Sequence, residues 1–179
     1  ANDLLITQVH YNMADPDVIG QTDSSTVRMR LEDSAAREGF FDLPDGLLNS
    51  LFEEAPDSLP PGQSAYDYVW TLSVDDYLGW LGIPSIELWG FFPHMHEFGR
   101  KEKVRVLDAE GNEVACIGDV QAWDFGWQLY YFYAQPIVLE PGQTIEVTCT
   151  YDTTSVDEGI WPGWGTQNEM CLAGLYLVP

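Results

Sequence analysis

The feature that most constrains this chain is a recurrence. Short stretches of alternating apolar and polar residues follow one another, divided by segments rich in Pro, Gly, Asp and Asn. A repeat of two side chains is that of a strand with one face buried, and the dividing residues are those of turns. The pattern predicts strands at Leu4 to Tyr11, at Ser25 to Leu31 through Val27, Met29 and Leu31, and at Tyr66 to Leu72. It continues at Ile86 to Phe98, Lys103 to Leu107, Glu113 to Ile117, Gln128 to Ala134, Ile145 to Tyr151 and Met170 to Val178. Asp108-Ala109-Glu110-Gly111-Asn112 has the composition of a hairpin turn, and Leu139-Glu140-Pro141-Gly142-Gln143 divides two further strands. Only the stretch from Asp33 to Gly62 carries a helical signal, at Ser34 to Glu38 and Pro44 to Phe52, and Pro60-Pro61-Gly62 closes it. The expected fold is all-β: an antiparallel β-sandwich of jelly-roll type with one short helical excursion. At 179 residues the chain is expected to form a single domain over residues 1–179.

Charge narrows the partners. The 29 acidic residues against 7 basic ones give a formal net charge of −22, which repels phosphate backbones and anionic lipid surfaces. Nucleic acid and membranes are therefore excluded as expected partners. The acids are scattered among apolar residues and 13% of the chain is aromatic, so this is a folded domain with a solvated surface and not an acidic tail. No apolar run approaches the ~20 residues that cross a bilayer, and Ala1-Asn2-Asp3 does not begin a signal peptide. The chain reads as a mature secreted or periplasmic one. Its three cysteines, Cys116, Cys149 and Cys171, allow one disulfide and one thiol left over.

Two of the three histidines lie one residue apart in Phe92-Pro93-His94-Met95-His96-Glu97-Phe98-Gly99. In an extended segment they project to the same side, roughly 6.6 Å apart, and Met95 projects to the other. Two imidazoles at that spacing can converge on one ion; the plainer alternative is a pair of partly buried, hydrogen-bonded histidines. A third ligand has to come from elsewhere, and the carboxy-terminal strand offers one. In Glu169 to Leu177, alternation sets Cys171, Ala173, Leu175 and Leu177 on an apolar face and turns Met170 away from the core. Cys149 falls with Ile145 and Val147 on the apolar face of its own strand, where it can meet Cys171. The alternatives are a gap-filling methionine and two unpaired buried thiols. Two imidazoles and a thioether suit copper through a one-electron cycle, whereas zinc more usually adds a carboxylate or a thiolate.

Four segments in order, His94 to Arg100, Gly118 to Gln128, Cys149 to Asp152 and Trp164 to Cys171, resemble the carboxy-terminal domain of copper type II, ascorbate-dependent monooxygenases, a family that includes peptidylglycine α-hydroxylating monooxygenase and dopamine β-monooxygenase. The element Trp123-Asp124-Phe125-Gly126-Trp127-Gln128 looks like bacterial relatives. The likeness runs from about Leu4 to Pro179. It implies that His94, His96 and Met170 hold the copper at which oxygen is used, that Cys149 and Cys171 form a disulfide, and that His10 is the third ligand of a second, electron-donating copper. It also implies ascorbate as external reductant and a small-molecule or peptide substrate hydroxylated at a C–H bond. The amino-terminal domain that supplies a His-His pair to the second copper has no counterpart here, so the resemblance implies a partner domain. Met95 stands where animal members have threonine, and Cys116 has no evident mate.

Three functions are open: a monooxygenase domain, incomplete as an isolated chain; a stand-alone copper-binding module for storage, transport or sensing; and a sandwich used for adhesion or assembly with a vestigial site. A second-copper histidine at His10 favours the first, its alternative being an ordinary strand-end histidine. Trp123, Trp127, Trp161 and Trp164 are expected in the core more than along a substrate surface. Arg100, Lys101, Lys103 and Arg105 either offset nearby acid or form a small basic patch. Glu97 and Glu169 are expected to be exposed, the alternative being acceptors for imidazole N–H groups.

Overall fold

The computed structural model describes residues 17, 19–30, 33–53 and 57–179. The expected strand at Leu4 to Tyr11, and with it His10, lies outside the described residues. By its internal contacts the chain divides into two units, Ala1–Ala35 and Ala36–Pro179. In the first, residues 21–30 form neither helix nor strand, so the strand expected from Ser25 is not there. The reason is visible in exposure. Val27 is 64% and Met29 53% exposed, so the alternation that suggested a strand buries no face. Local bonds hold this segment instead, such as Gln21 Nε2 donating to Asp17 O at 2.7 Å.

The second unit carries eight strands: β1 (Phe40–Asp42), β2 (Tyr66–Ser73), β3 (Ile86–His94), β4 (Gly99–Leu107), β5 (Glu113–Val120), β6 (Tyr131–Leu139), β7 (Thr144–Tyr151) and β8 (Leu172–Val178). They form two antiparallel sheets of four, ordered β1-β8-β3-β6 and β2-β7-β4-β5. Each sheet takes strands alternately from the two ends of the unit, which is the wrapping of a jelly roll. Seven strands fall where the alternation predicts them, and β4 and β5 form the expected hairpin. β1 has no such signal, because three residues are too few to show a period.

Both sheets turn apolar side chains onto one core. Leu88, Phe91, Ala173, Leu175 and Leu177 from the first sheet are buried with Val104, Val106, Ile145, Val147 and Cys149 from the second. β7 shows the cause most plainly: every second residue, from Ile145 to Tyr151, is buried. Each aliphatic side chain so buried contributes roughly 1.5–3 kcal/mol.

Between β1 and β2 the expected helical excursion appears as α1 (Gly46–Asn49) followed by a 3-10 turn over Ser50–Phe52. Asp45 caps α1, accepting from Leu48 N at 2.8 Å. A second helix, α2 (Val74–Leu81), departs from the expectation of a single excursion. Its signals are nonetheless in the sequence: Val74, Tyr77 and Leu78 recur at helical spacing and are buried, and Asp75 and Asp76 sit in the first turn. Gly82 ends it with φ +67°, where a side chain would be strained, and its N–H bonds Leu78 O at 2.8 Å.

Candidate metal centre

β3 runs beside β8 with His94 opposite Leu172 and Pro93 opposite Ala173, so the histidine strand ends two residues from Met170. The chain then leaves the sheet. Met95 drops into the core, fully buried, against Gly99, where a Cβ would lie 2.8 Å from Met95 Cβ and 2.9 Å from Trp123 Cδ1. Glycine at 99 is what allows so tight a return.

The imidazoles meet as the spacing predicts. Their ring centroids are 5.1 Å apart and the planes nearly perpendicular, at 87°. Phe92 stacks beside His94 at 5.8 Å and also packs against Leu48, Met170 and Leu172, which form a small buried cluster apart from the main core. Met170 is therefore turned away from the main core, as alternation requires. It is nevertheless only 2% exposed, because Leu48 of α1 covers that face.

His96 is 5% exposed, and its Nδ1 lies 2.9 Å from Asn168 O. A carbonyl oxygen only accepts, so Nδ1 carries a hydrogen, and the neutral ring has its lone pair on Nε2. His94 Nδ1 lies 2.6 Å from Gln128 Oε1. Burial pushes the His94 pKa down, the bond to Gln128 offsets part of that, and neighbouring His96 lowers it further. The balance favours the neutral form of the ring, the form in which an imidazole can bind a metal.

Glu169 corrects an expectation. It is fully buried, and its carboxylate bonds main-chain amides, not an imidazole: His96 N at 2.8 Å, Phe98 N at 2.7 Å and Met170 N at 3.2 Å. Burial raises its pKa to about 7, with the backbone bonds pulling the other way. One side chain thus clasps the turn bearing His96 to the segment bearing Met170. Glu97 is exposed, as expected.

The methionine segment is tied from several directions. Cys149 and Cys171 form a disulfide, joining β7 of one sheet to the residue before β8 of the other. Tyr151 Oη donates to Met170 O at 2.6 Å, Cys171 N donates to Asp45 Oδ1 at 3.2 Å, and Trp70 Nε1 donates to Cys171 O at 3.0 Å. Asp45 is 3% exposed, and burial raises its pKa to about 6. Glu102, inward-facing on β4, is also fully buried, and neither carboxylate oxygen has a hydrogen-bond partner among the described residues. Burial holds its carboxyl well above the usual range. Glu102 alternates in phase with Val104 and Val106 on the buried face, a signal overshadowed by the charges around it. It faces inward just beyond a register shift between Gly99 and Lys101.

The loop from Trp123 to Gln128 lies against the histidines. Besides Gln128 on His94, Phe125 meets the His96 ring edge-on at 6.1 Å, and Trp123 Nε1 donates to His96 O at 3.1 Å. Three of the tryptophans expected in the core are outside it: Trp127, Trp161 and Trp164 are 63%, 54% and 78% exposed. Of the four, Trp123 alone packs against the core. Three of the four basic residues are matched with acid: Lys103 with Glu113 at 2.9 Å, Arg105 with Glu146 at 2.7 Å and Arg100 with Asp152 at 3.8 Å. Such surface pairs contribute little to stability. Cys116 is exposed and outside the disulfide.

A family model described as copper type II ascorbate-dependent monooxygenase, C-terminal domain, matches residues 52–178. The chain belongs to this family. It is 28% identical over 134 residues to DBH-like monooxygenase protein 1 of Gallus gallus, 27% over 176 to dopamine beta-hydroxylase of Bos taurus, and 25% over 191 to tyramine beta-hydroxylase of Caenorhabditis briggsae. Those alignments take in 75%, 96% and 99% of this chain but only 22%, 27% and 29% of the relatives. The chain thus spans less than a third of the length of these relatives. No helix among the described residues is long and apolar enough to cross a membrane.

The donor chemistry fits copper. Among the described residues no three His, Cys, Asp or Glu side chains converge as a metal cluster. Both cysteines near the site are spent in the disulfide, and Glu169 is committed to amides. The side chain that the segment before β8 brings near the histidine end of β3 is a thioether, a group that suits copper better than zinc.

Proposed function

We propose that this chain is the oxygen-using half of a copper-dependent monooxygenase that hydroxylates a substrate C–H bond, with His94, His96 and Met170 as its copper ligands. The observation that supports this reading is the closeness of two imidazoles to each other and of a buried methionine to the end of the β3–β8 pair. Bound copper would supply the one-electron chemistry by which dioxygen is used. The protein's part is to present the donors: His96 through Nε2, with Nδ1 held by Asn168 O, and Met170 through a segment whose main chain is fixed on both sides. Family membership supports ascorbate as external reductant. The match to a carboxy-terminal domain supports an amino-terminal partner domain with a His-His pair for a second copper. His10 is proposed as the third ligand of that second site, and the substrate as a small molecule or peptide. The disulfide favours a secreted or periplasmic setting. Stand-alone copper storage or transport is the weaker reading, because it leaves the kinship with monooxygenases without a use.

Metal analysis of the purified protein tests the assignment. About one copper per chain is expected, held tightly as Cu(I). Met170→Ala should weaken Cu(I) more than Cu(II), since sulfur contributes chiefly to the soft ion. Binding of zinc in preference, or a Cu(I) affinity indifferent to Met170→Ala, would overturn the ligand set.

A further inference from the structure

The two histidines take their orientation from different kinds of partner. His96 bonds a main-chain carbonyl, at 2.9 Å, whereas His94 bonds the side-chain oxygen of Gln128, at 2.6 Å. The Gln128 amide has a direction of its own, because its Nε2 donates to Phe125 O at 2.7 Å. That bond turns Oε1 toward His94. An amide oxygen only accepts, so His94 Nδ1 must carry the hydrogen, and the lone pair is left on Nε2. A free imidazole ordinarily favours the other tautomer, with hydrogen on Nε2. Left to itself, His94 would offer its lone pair on Nδ1, the nitrogen turned toward the loop.

We propose that Gln128 is a positioning residue of the metal centre: through the chain Phe125 O, Gln128 amide, His94 ring, it holds His94 with hydrogen on Nδ1 and presents Nε2 for ligation. The inference rests on His94 being a ligand, as proposed above. Second partners of ligating histidines commonly fix the ring in this manner. Here the partner sits on a loop that is itself set by local bonds. Gly126 N donates to Asp124 Oδ1 at 2.8 Å, Trp127 N donates to Asp124 O at 2.9 Å, and Trp123 N donates to Arg100 O at 2.8 Å. These bonds fix where Phe125 O stands, and so which end of the Gln128 amide His94 meets.

The test reads the tautomer directly, in metal-free protein carrying ¹⁵N-labelled histidine, at a pH where the imidazoles are neutral. In the wild type both His94 and His96 should show hydrogen on Nδ1. Gln128→Leu should move His94 to the Nε2–H form, leave His96 unchanged, and lower Cu(I) affinity about tenfold to a hundredfold. Gln128→Glu, which keeps an accepting oxygen for His94 but loses the donor to Phe125 O, should retain the Nδ1–H tautomer and lower the affinity less than Gln128→Leu does. Wild-type His94 found with hydrogen on Nε2 overturns the proposal, and needs no variant to fold. An unchanged His94 tautomer in Gln128→Leu overturns it equally. Protein that shows the Nδ1–H tautomer but binds no Cu(I) overturns the ligand set, and with it any role for Gln128 at a metal, while the hydrogen bond stands; the two failures are thereby told apart.

Discussion

The segment from Asn168 to Leu172 and the loop from Trp123 to Gln128 both end at the proposed centre, yet they are held in contrasting ways. Across Glu169, Met170 and Cys171 every main-chain N–H and C=O has a partner: Trp161 O and Gly163 N for Glu169, the Glu169 carboxylate and Tyr151 Oη for Met170, Asp45 and Trp70 for Cys171. All three residues are buried, and a disulfide closes the set. Half of the loop is exposed, and its three partly buried side chains, Trp123, Phe125 and Gln128, reach the histidines. The contrast separates two tasks. A thioether is a weak ligand that cannot pull its own strand into place, so the fold must place it; an imidazole binds well wherever its ring is turned correctly, so one amide is enough.

The contrast can be broken most forcefully at Glu169. Glu169→Ala leaves three amides, of His96, Phe98 and Met170, without this acceptor, at about 1–3 kcal/mol each. A total loss of about 3–5 kcal/mol is expected in chemical denaturation; a loss under about 1 kcal/mol would show that the clasp is dispensable. The bridge comes next. Replacing Cys149 and Cys171 together with alanine opens a loop with a sequence separation of 22 residues. The chain-entropy model puts the cost at about 3 kcal/mol, and thermal melts of the two forms would measure it.

Asp45 gives a pH signature. Its folded pKa, about 6, lies above the ordinary 3.8 because burial disfavours the charge. The folded chain therefore keeps a proton that the unfolded chain has released, and stability falls as pH rises from about 4 to about 6, by about 2–3 kcal/mol. An asparagine in its place would accept the same two amide bonds without ionising, so Asp45→Asn should make the fall smaller by about 2–3 kcal/mol, leaving the part due to Glu169 and Glu102. Stability curves against pH check it, with Glu102, the buried acid whose own carboxyl is raised in part by Asp45, left intact in both forms. The smallest effect is expected on the loop. Trp127→Ala, at a residue 63% exposed, should change stability by no more than about 0.5 kcal/mol. A large loss there would erase the distinction between the two segments.

The sheets are legible in the sequence because alternation is local: the strands from Tyr66 onward announce their buried faces residue by residue. So is the histidine pair, and with it the opposite placement of Met95. Helix α2 is masked more than hidden, its helical spacing lying next to a strand signal at Tyr66 to Leu72. The roles of Glu169 and Asp45 are not legible. Each is an ordinary acid in the sequence, and each is buried by what the fold brings beside it: amides 71 to 73 residues away for Glu169, and 126 away for Asp45. Glu102 differs, since its alternation with Val104 and Val106 turns it inward. Gln128 is visible only as part of a family-like motif, because its meaning lies in a bond to His94, 34 residues earlier.

Because one carboxylate grips amides on both sides of the centre, its effect reaches beyond stability. Glu169 bonds the main chain of His96 with the same oxygen that bonds the main chain of Met170. When the end of the sandwich sways, these two anchor points are carried along together, as passengers in one vehicle. Their separation should vary far less than their position. His94 stands on β3, opposite Leu172, and only its ring is set by the loop through Gln128, so thermal fluctuation in the geometry of the three proposed donors would fall mainly on the turning of that ring.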